Sequence, residues 1–317
     1  MLNDSAVVTD ARRQRVLDAI AELNYRPSRI ASNLRRRQRA RMIGVLVSDI
    51  ENPHFAELVR AIEDVASQSG YRVLLCNTDE REEKQDDYLS VLVAERVAGV
   101  ILSPTNPAAP GISELLDHGT AVVAVDRSVT DPRADAVLVD NVAGTAAATE
   151  HLLDGGHTQV GFVGGPPHVE TAVLRRVGYE RAMREAGLAP CAVDGSFRIE
   201  GGEEATERLL ASGSFSALVT ANNLITIGAL RALRARELRV PESVALVAVD
   251  DPFWSELVEP PLTTLAQPVR QLAETAVSLL LERLEGKRWE SKRLVLDFTL
   301  RVRGSCGLSA RDDGAVG

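Results

Sequence analysis

The sequence predicts an α/β protein with two Rossmann-like lobes, preceded by a small basic helical segment. From residue 42 onward, short and continuously apolar runs of strand length alternate with amphipathic helical stretches. Such runs are typical of parallel strands that are covered by helices on both faces. About nine of these runs spread over roughly 225 residues, which is more than one sheet holds comfortably. We therefore expect two lobes that bind a ligand at the carboxyl ends of their strands.

The first 41 residues carry a charge opposite to that of the rest of the chain. They contain ten Arg and four acidic residues, whereas the remaining 276 residues contain 26 basic and 41 acidic residues. The whole chain has a formal net charge of −9. A basic head on an acidic body is typical of a head that contacts a polyanion. The charge alone is equally compatible with a solvated basic helix.

Two helical segments follow each other within this basic head. Thr9 is the predicted N-cap of a helix over residues 10–23, whose apolar stripe needs a packing partner. Pro27 then opens a short helical segment over residues 28–37, because proline is well tolerated in a first helical turn. Apolar side chains share one face of this second segment, among arginines: Ile30, Ala31 and Leu34.

The body of the chain alternates between strands and helices in a regular order. The strand-like runs lie at residues 42–48, 72–76, 99–103, 121–125, 136–139, 159–164, 217–220, 244–249 and 292–298. The helical stretch 53–68 shows the expected periodicity, with Phe55, Leu58 and Ile62 on one face. A late helix over residues 268–286 and the last strand most simply return to complete the first lobe.

These elements define the expected domain boundaries. The first lobe comprises residues 42–140 and 268–298, and the second lobe comprises residues 141–267 and 299–304. Residues 305–317 are small and polar, and we expect them to form a disordered tail. The tail lacks a leucine heptad, so nothing in it indicates a tetramer bundle.

Several classes of protein are disfavoured by what the sequence lacks. The N-terminus has no apolar signal region, so we expect a cytoplasmic protein. The three cysteines, at 76, 191 and 306, are too widely spaced for a disulfide framework or a zinc site. The Gly-rich loop 161–167 matches neither the dinucleotide fingerprint nor the P-loop, and no serine lies in a nucleophile elbow. We therefore expect no enzyme activity, no metal and no cofactor.

Polar side chains recur just after the predicted strands, where they would converge on one cleft between the lobes. They are Asp49, Asn52, Asp126, Arg127, Asn222 and Asp250, and Arg175 joins them from the helix after one strand. Together they offer the acceptors and forked donors that a polyhydroxylated ligand needs. Phe55 and Phe197 could supply apolar faces for a sugar ring. Each residue taken singly is equally compatible with a helix cap or a core aromatic.

Several stretches of the chain, in order, resemble the lactose-repressor/galactose-repressor (LacI/GalR) family. They are residues 12–58, 98–105, 121–127, 139–166, 217–230, 244–268 and the late helix. The resemblance implies a homodimer in which each chain has a helix-turn-helix head, a hinge helix that enters the DNA minor groove, and a periplasmic-binding-protein-like type I core. Residues 1–26 would be a remnant of the head, and residues 27–41 the hinge helix and linker.

The resemblance also implies roles for residues in the head. The implied contacts with operator DNA are Asn3, Thr9, Tyr25, Arg29, Ala31 and Leu34. Leu34 would be the wedge between base pairs. The family has about twenty further residues before the position of Met1, which complete its helix-turn-helix. We therefore expect the head, as written, to begin inside the recognition helix, through a misplaced start, a truncation or a genuine loss.

In the core, the resemblance is strongest to the ribose-binding members of the family, which favours a pentose such as ribose as the effector. The implied sugar contacts are Asn52, Phe55, Asp126, Arg127, Arg175, Phe197, Asn222, Asp250 and Gln267. His54 stands where those proteins have a second stacking Phe, and Asn223 stands where most of the family has Asp. The leading hypothesis is a DNA-binding regulator, usually a repressor, whose operator affinity responds to a small sugar. The alternative is a headless or exported sugar-binding protein without a role on DNA.

Overall fold

The structure is a computed structural model, and it describes residues 41–308 of the chain. The helical segments expected at residues 10–23 and 28–37 lie outside the described residues. The same is true of every residue to which the resemblance gives a contact with DNA: Asn3, Thr9, Tyr25, Arg29, Ala31 and Leu34. Those expectations therefore stay predictions.

Strands and helices alternate through the described residues. The strands are β1 (Met42–Val47), β2 (Arg72–Asn77), β3 (Gly99–Leu102), β4 (Ala121–Val125), β5 (Asp135–Val139), β6 (Val160–Gly164), β7 (Cys191–Asp194), β8 (Ala217–Thr220), β9 (Ala245–Val249), β10 (Thr263–Ala266), β11 (Arg293–Leu296) and β12 (Thr299–Arg301). The helices are α1 (Pro53–Gln68), α2 (Glu82–Ala94), α3 (Pro110–Asp117), α4 (Asn141–Asp154), α5 (Glu170–Glu185), α6 (Ile199–Ser212), α7 (Asn223–Ala235) and α8 (Val269–Leu284). Two short 3-10 segments are Phe253–Glu256 and Gly304–Cys306.

The strands form two six-stranded sheets with the same plan. The first sheet has the order β11-β5-β4-β3-β1-β2, and the second has the order β12-β10-β9-β8-β6-β7. Neighbouring strands are parallel, except that β12 runs antiparallel to β10. The chain passes from one sheet to the other after β5, after β10 and between β11 and β12. The prediction of two α/β lobes with parallel sheets is confirmed.

The first lobe is completed by chain that comes after the second lobe. Helix α8 packs against α1 and lies on β3, β4 and β5, while β11 pairs with β5. Leu58 and Ile62 of α1 and Leu272 and Val277 of α8 belong to one fully buried cluster. Burial of such aliphatic side chains stabilises by about 1.5–3 kcal/mol each, so α8 is an integral part of the first lobe.

The second lobe has its own apolar core, fixed by one hydrogen-bonded aromatic residue. The ring of Tyr179, on α5, stacks on Phe162 of β6 with ring centroids 5.1 Å apart. Its hydroxyl group donates to the carbonyl oxygen of Val160 at 2.8 Å and accepts from the backbone N–H of Cys191 at 2.8 Å. The buried polar atom is thereby satisfied, and α5 is held across the β6–β7 edge.

Three strands were not predicted from the sequence, namely β7, β10 and β12. The first two have four residues each and the third has three, and none forms a continuous apolar run. Their place in the sheet is set by pairing with longer neighbours rather than by their own composition. Within residues 41–308, no helix combines the length and the apolarity that a membrane span requires.

The expectation of a disordered tail from residue 305 is wrong for residues 305–308. Ser305 and Cys306 are fully buried in the second lobe. The Ser305 hydroxyl group donates to the carbonyl oxygen of Leu246 at 2.6 Å and accepts from the backbone N–H of Thr263 at 2.8 Å. Small polar residues can be buried when each polar atom has a partner, and composition alone does not reveal those partners.

Candidate functional site

A cleft of about 260 Å³ lies between the two lobes, at the carboxyl ends of their strands. Every core residue that the sequence analysis proposed as a ligand contact lines this cleft: Asn52, Phe55, Asp126, Arg127, Arg175, Phe197, Asn222, Asp250 and Gln267. The structure thus brings together residues that are up to 215 positions apart in the chain, from Asn52 to Gln267. Their roles as ligand contacts remain predictions.

The start of α1 forms one wall of the cleft. Asn52 is the N-cap of this helix, and its side-chain oxygen accepts from the backbone N–H of His54 at 3.0 Å. Pro53 at the first helical position fits a start that needs no backbone donor there. The rings of His54 and Phe55 meet edge to face with centroids 5.1 Å apart, and both residues are buried. The cap therefore fixes an aromatic pair at the edge of the cleft.

Asp126 follows β4 in the left-handed region of backbone conformation, with φ +65°. Such a conformation is uncommon outside Gly, although Asp and Asn tolerate it better than other residues. Asp126 Oδ2 accepts from the Ser103 hydroxyl group at 3.3 Å and lies 3.5 Å from Arg127 Nε. Strained backbone of this kind is concentrated at functional sites, which supports a binding role for Asp126.

Arg127 is buried and held by a forked ion pair. Its two terminal nitrogens donate to Glu80 at 2.7 and 2.5 Å, and one of them also contacts the carbonyl oxygen of Pro104 at 3.4 Å. Burial lowers the pKa of Arg127, but the hydrogen bonds to Glu80 and the charge of Asp126 outweigh burial and raise it. The guanidinium group therefore stays charged and rigid at one side of the cleft.

Arg175 and Asn222 stand on the second lobe. Arg175 is buried, and it donates to the Asn141 side-chain oxygen and to the carbonyl oxygen of Ala221, both at 2.7 Å. Asn222 is the N-cap of α7, where its side-chain oxygen accepts from the backbone N–H of Ile225 at 2.8 Å. Asn222 thus combines the two interpretations that the sequence left open, because it caps a helix and lines the cleft.

Asp250 follows β9, also in the left-handed region, with φ +74°. Its Oδ1 accepts from Gln267 Nε2 at 2.7 Å, and its Oδ2 accepts from the Asn223 side chain at 2.9 Å and backbone N–H at 3.2 Å. Burial raises the pKa of Asp250, but the charges of His54 and Arg175 together with these hydrogen bonds bring it below its ordinary value. Asp250 is therefore ionised although it is buried in the wall of the cleft.

Contacts that cross the cleft join the two lobes directly. Arg198, before α6, donates to Asp49 at 2.9 Å, and the Ser128 hydroxyl and backbone N–H donate to Glu170 at 2.8 and 2.6 Å. No sequence pattern indicates Arg198, Ser128 or Glu170 as contacts between the lobes, because polar residues are common in loops and in first helical turns. The Asn223 amide group of the second lobe also donates to Asn52 Oδ1 of the first lobe at 2.8 Å.

The cleft lining includes buried polar atoms that have no hydrogen-bond partner among the described residues. They are His54 Nε2, Arg127 Nε and Gln267 Oε1. A buried donor or acceptor left unpaired costs about 1–3 kcal/mol, so these atoms favour a ligand that is itself polar. Among residues 41–308, no group of three His, Cys, Asp or Glu side chains is arranged to hold a metal ion.

Comparison with known proteins agrees with this architecture. A family profile described as a periplasmic binding protein-like domain matches residues 149–306. The chain is 34% identical over 310 residues to the ribose operon repressor of Escherichia coli (strain K12), and the alignment covers 96% of this chain and 94% of that protein. The resemblance inferred from the sequence motifs is therefore confirmed over nearly the whole length.

Solved structures of similar fold give the same result. A LacI family transcriptional regulator from Enterococcus faecium with bound ribose has a TM-score of 0.77 and 29% identity, over 83% of this chain and 98% of that chain. The lac repressor dimer bound to operator and an anti-inducer has a TM-score of 0.82 and 29% identity, over 96% of this chain and 93% of that chain. By these sequence and structural relationships, the chain belongs to the LacI family of transcriptional regulators.

Proposed function

We propose that the chain is a DNA-binding transcriptional repressor whose affinity for its operator changes when a small sugar binds between the lobes. The observation that carries the proposal is the cleft itself. It combines carboxylates, buried arginines and polar atoms without hydrogen-bond partners at the carboxyl ends of two parallel sheets. The alignment with the ribose operon repressor covers 96% of this chain. This favours a regulator over a sugar-binding protein without a role on DNA.

The proposed effector is a pentose such as ribose. A small polyol needs acceptors for its hydroxyl protons and donors for its oxygens, and Asp126, Asp250, Arg127 and Arg175 offer both. Phe55 and Phe197 add apolar surface for the C–H faces of the ring. The cleft, at about 260 Å³, suits a compact ligand better than a drug-sized one.

The proposed partners are operator DNA and a second copy of the chain. The DNA contacts would come from the head and hinge, as the resemblance implies, and a regulator of this kind would act in the cytoplasm. The lac repressor, to which this chain is similar in structure, is a dimer, and Phe253 and Leu257, at 80% and 76% exposed, are candidate residues for such an interface. Sedimentation should show a dimer at micromolar concentration, and a monomer would contradict this part of the proposal.

Calorimetry tests the effector site. We expect D-ribose, or else D-xylose or D-glucose, to bind the wild-type chain. Arg175→Ala should weaken that binding at least about 30-fold, because truncating one member of a buried charged set is costly. Arg176→Ala is the matched control, since Arg176 is the next residue on the same helix and pairs with Glu180 and Asp194 at the surface. Equal affinity in Arg175→Ala and wild type would contradict the site assignment.

The proposed binding to an operator is tested by selecting the sequences that the protein binds from random duplex DNA. The protein is used as its gene encodes it. We expect one sequence to be enriched and its affinity to change when the effector sugar is added. Leu34→Ala should weaken binding to that sequence more than to random DNA, since a wedge helps only where the DNA is kinked. Equal losses on both DNAs would exclude the wedge role, and failure to enrich any sequence would contradict a role on DNA.

A further inference from the structure

His54 and Asp126 face each other in the cleft without touching. His54 Nε2 lies 3.9 Å from Asp126 Oδ1, and the two side chains are 5% and 6% exposed. This separation is too long for a hydrogen bond. His54 Nε2 has no hydrogen-bond partner within the described chain, and Asp126 uses its other oxygen toward Ser103 and Arg127. A gap of 3.9 Å therefore separates a buried nitrogen from a buried carboxylate oxygen.

The width of the gap matches one shared oxygen atom. An oxygen about 2.8 Å from each of the two atoms would see them at an angle of about 90°. That angle is compatible with the roughly tetrahedral arrangement of the O–H bond and lone pairs of a hydroxyl group. Such a hydroxyl group donates its proton to Asp126 Oδ1 and accepts one from His54 when Nε2 carries a hydrogen.

We propose that His54 is a specificity-determining residue of this cleft, where His54 Nε2 and Asp126 Oδ1 together hold one hydroxyl group of the bound sugar. The inference rests on the proposed function and goes further, because it assigns to one pair of residues the recognition of one ring substituent. A carbon-bound hydrogen at that place would leave both polar atoms unpaired. The site should then reject the corresponding deoxysugar.

The position of His54 supports a fixed rather than an adaptable contact. Its backbone N–H is tied to the N-cap Asn52, and its ring packs edge to face on Phe55. Asp126 is equally restrained by its left-handed backbone and by Ser103. Two rigid groups discriminate more sharply than flexible ones, because neither can move to find a new partner. A water molecule could occupy the same gap, and in that case the sugar hydroxyl groups would be sensed independently of His54.

Calorimetry with deoxysugars tests the proposal on the full chain. The probes are D-ribose and its 2-deoxy, 3-deoxy and 5-deoxy analogues, or the monodeoxy analogues of D-xylose or D-glucose if one of those sugars binds instead. We expect wild type to bind one analogue about 10- to 100-fold more weakly than the parent sugar, as for a hydrogen bond to a charged group. His54→Phe should bind the parent sugar more weakly and should discriminate at least about 3-fold less against that one analogue, because only Asp126 still holds the hydroxyl group. Its discrimination against the other analogues should be unchanged.

Two further variants separate this role from a general effect on the fold. His54→Gln keeps an N–H donor and should retain part of the discrimination that His54→Phe loses. Asp126→Asn suits the left-handed backbone, and its effect on Kd should be non-additive with that of His54→Phe because both side chains would hold the same oxygen. Thermal melting of each variant shows whether it is folded.

The outcomes distinguish the inference from the proposed function. If wild type binds a sugar and His54→Phe keeps the wild-type ratio for every analogue, the inference is wrong and the proposed function stands. Additive effects of the two substitutions would also overturn it, because they would mean separate contacts. If wild type binds none of the three parent sugars, the proposed effector class fails, and the assignment of His54 fails with it.

Discussion

Asp126 and Asp250 occupy the same place in the two lobes, yet their surroundings differ. Each follows the fourth strand of its lobe, each is buried, and each has a left-handed backbone, with φ +65° and +74°. Asp250 accepts three hydrogen bonds from Gln267 and Asn223. Asp126 accepts one long hydrogen bond from Ser103 and lies 3.5 Å from Arg127 Nε, and its second oxygen lies 3.9 Å from His54 Nε2. The shared fold supplies the position, and the neighbouring side chains decide how much of each carboxylate remains for a ligand.

The comparison indicates different duties for the two carboxylates. Asp250 is part of a network that reaches the first lobe through Asn223 and Asn52, so a ligand held by Asp250 would be linked to the contact between the lobes. Asp126 is contacted by Ser103 and Arg127 through Oδ2, which leaves Oδ1 for a new hydrogen bond. A ligand in the cleft would therefore meet one carboxylate that is already organised by the protein and one that it must satisfy itself.

The largest expected effect tests this difference through stability. We expect Asp250→Asn to lower the free energy of unfolding by about 2–3 kcal/mol, because the new amide group faces the donors of Gln267 and Asn223 and removes the charge beside Arg175. Asp126→Asn should cost less, about 1 kcal/mol, since it disturbs one long hydrogen bond and removes a charge 3.5 Å from Arg127, which keeps its forked pairing with Glu80. Urea denaturation followed by circular dichroism measures both values. Equal losses of unfolding free energy in the two variants would mean that the protein organises the two carboxylates to the same extent.

A smaller effect concerns the residue after Asp250, which anchors this strand end from outside the cleft. Asp251 pairs with Arg303 at 2.7 Å and Arg301 at 2.6 Å. Burial raises the pKa of Asp251, but the hydrogen bonds from Arg303, Ser255 and Thr264 lower it to about 2 from 3.8. Because the folded state lowers the pKa, ionised Asp251 stabilises the protein above about pH 4, and this stabilisation is lost as the pH falls toward 2.

Asp251→Asn should therefore cost about 1–2 kcal/mol at pH 7, allowing for the partial exposure of Arg301. The difference in unfolding free energy between wild type and variant should shrink as the pH is lowered from 5 to about 2.5. Asp297→Asn, at an exposed carboxyl group, is the control and should change little at any pH. A difference that stays constant across this pH range would mean that the ion pair does not contribute as described.

The smallest expected effect compares the partners of the two carboxylates. Gln267→Ala removes a 2.7 Å hydrogen bond to Asp250 and should cost about 1 kcal/mol in unfolding free energy. Ser103→Ala removes a 3.3 Å hydrogen bond to Asp126 and should cost less than about 0.5 kcal/mol. Urea denaturation midpoints give both differences in unfolding free energy, provided that the dependence of the unfolding free energy on urea concentration is the same in each variant. If Ser103→Ala proved the more costly, Asp126 would be the more strongly organised carboxylate.

The residues that sequence reasoning found have one property in common. Asp126 and Asp250 come directly after continuously apolar strands, Asn222 comes two residues after the end of β8, and parallel strands bring their carboxyl ends to one edge. Their convergence on a cleft follows from strand order, which local patterns and resemblance are sufficient to indicate. The family, the two lobes and the regulatory function were therefore within reach of the sequence.

The residues that sequence reasoning missed depend on contacts between separate elements. Three of them are identified only by the partners that the fold places opposite them. Glu80 pairs with Arg127, Arg198 pairs with Asp49, and Glu170 accepts from Ser128. Strands β10 and β12 are short, and they exist because neighbours pair with them. Such features are fixed by contacts between elements that are distant in the chain, within a lobe or between the lobes, and they have no periodic signature in the sequence.

The late return of the chain to the first lobe has a consequence for how the protein is made. Helix α8 and strand β11 cover and complete a sheet whose other strands end at Val139. At about 5–20 residues per second, a ribosome needs roughly 8–30 s to synthesise the chain from Val139 to Leu296. During that time the apolar faces that will receive Leu272 and Val277 have no cover, whereas β6 to β10 of the second sheet are synthesised as one continuous segment. We therefore expect the nascent first lobe to be the part of this protein that depends on chaperones.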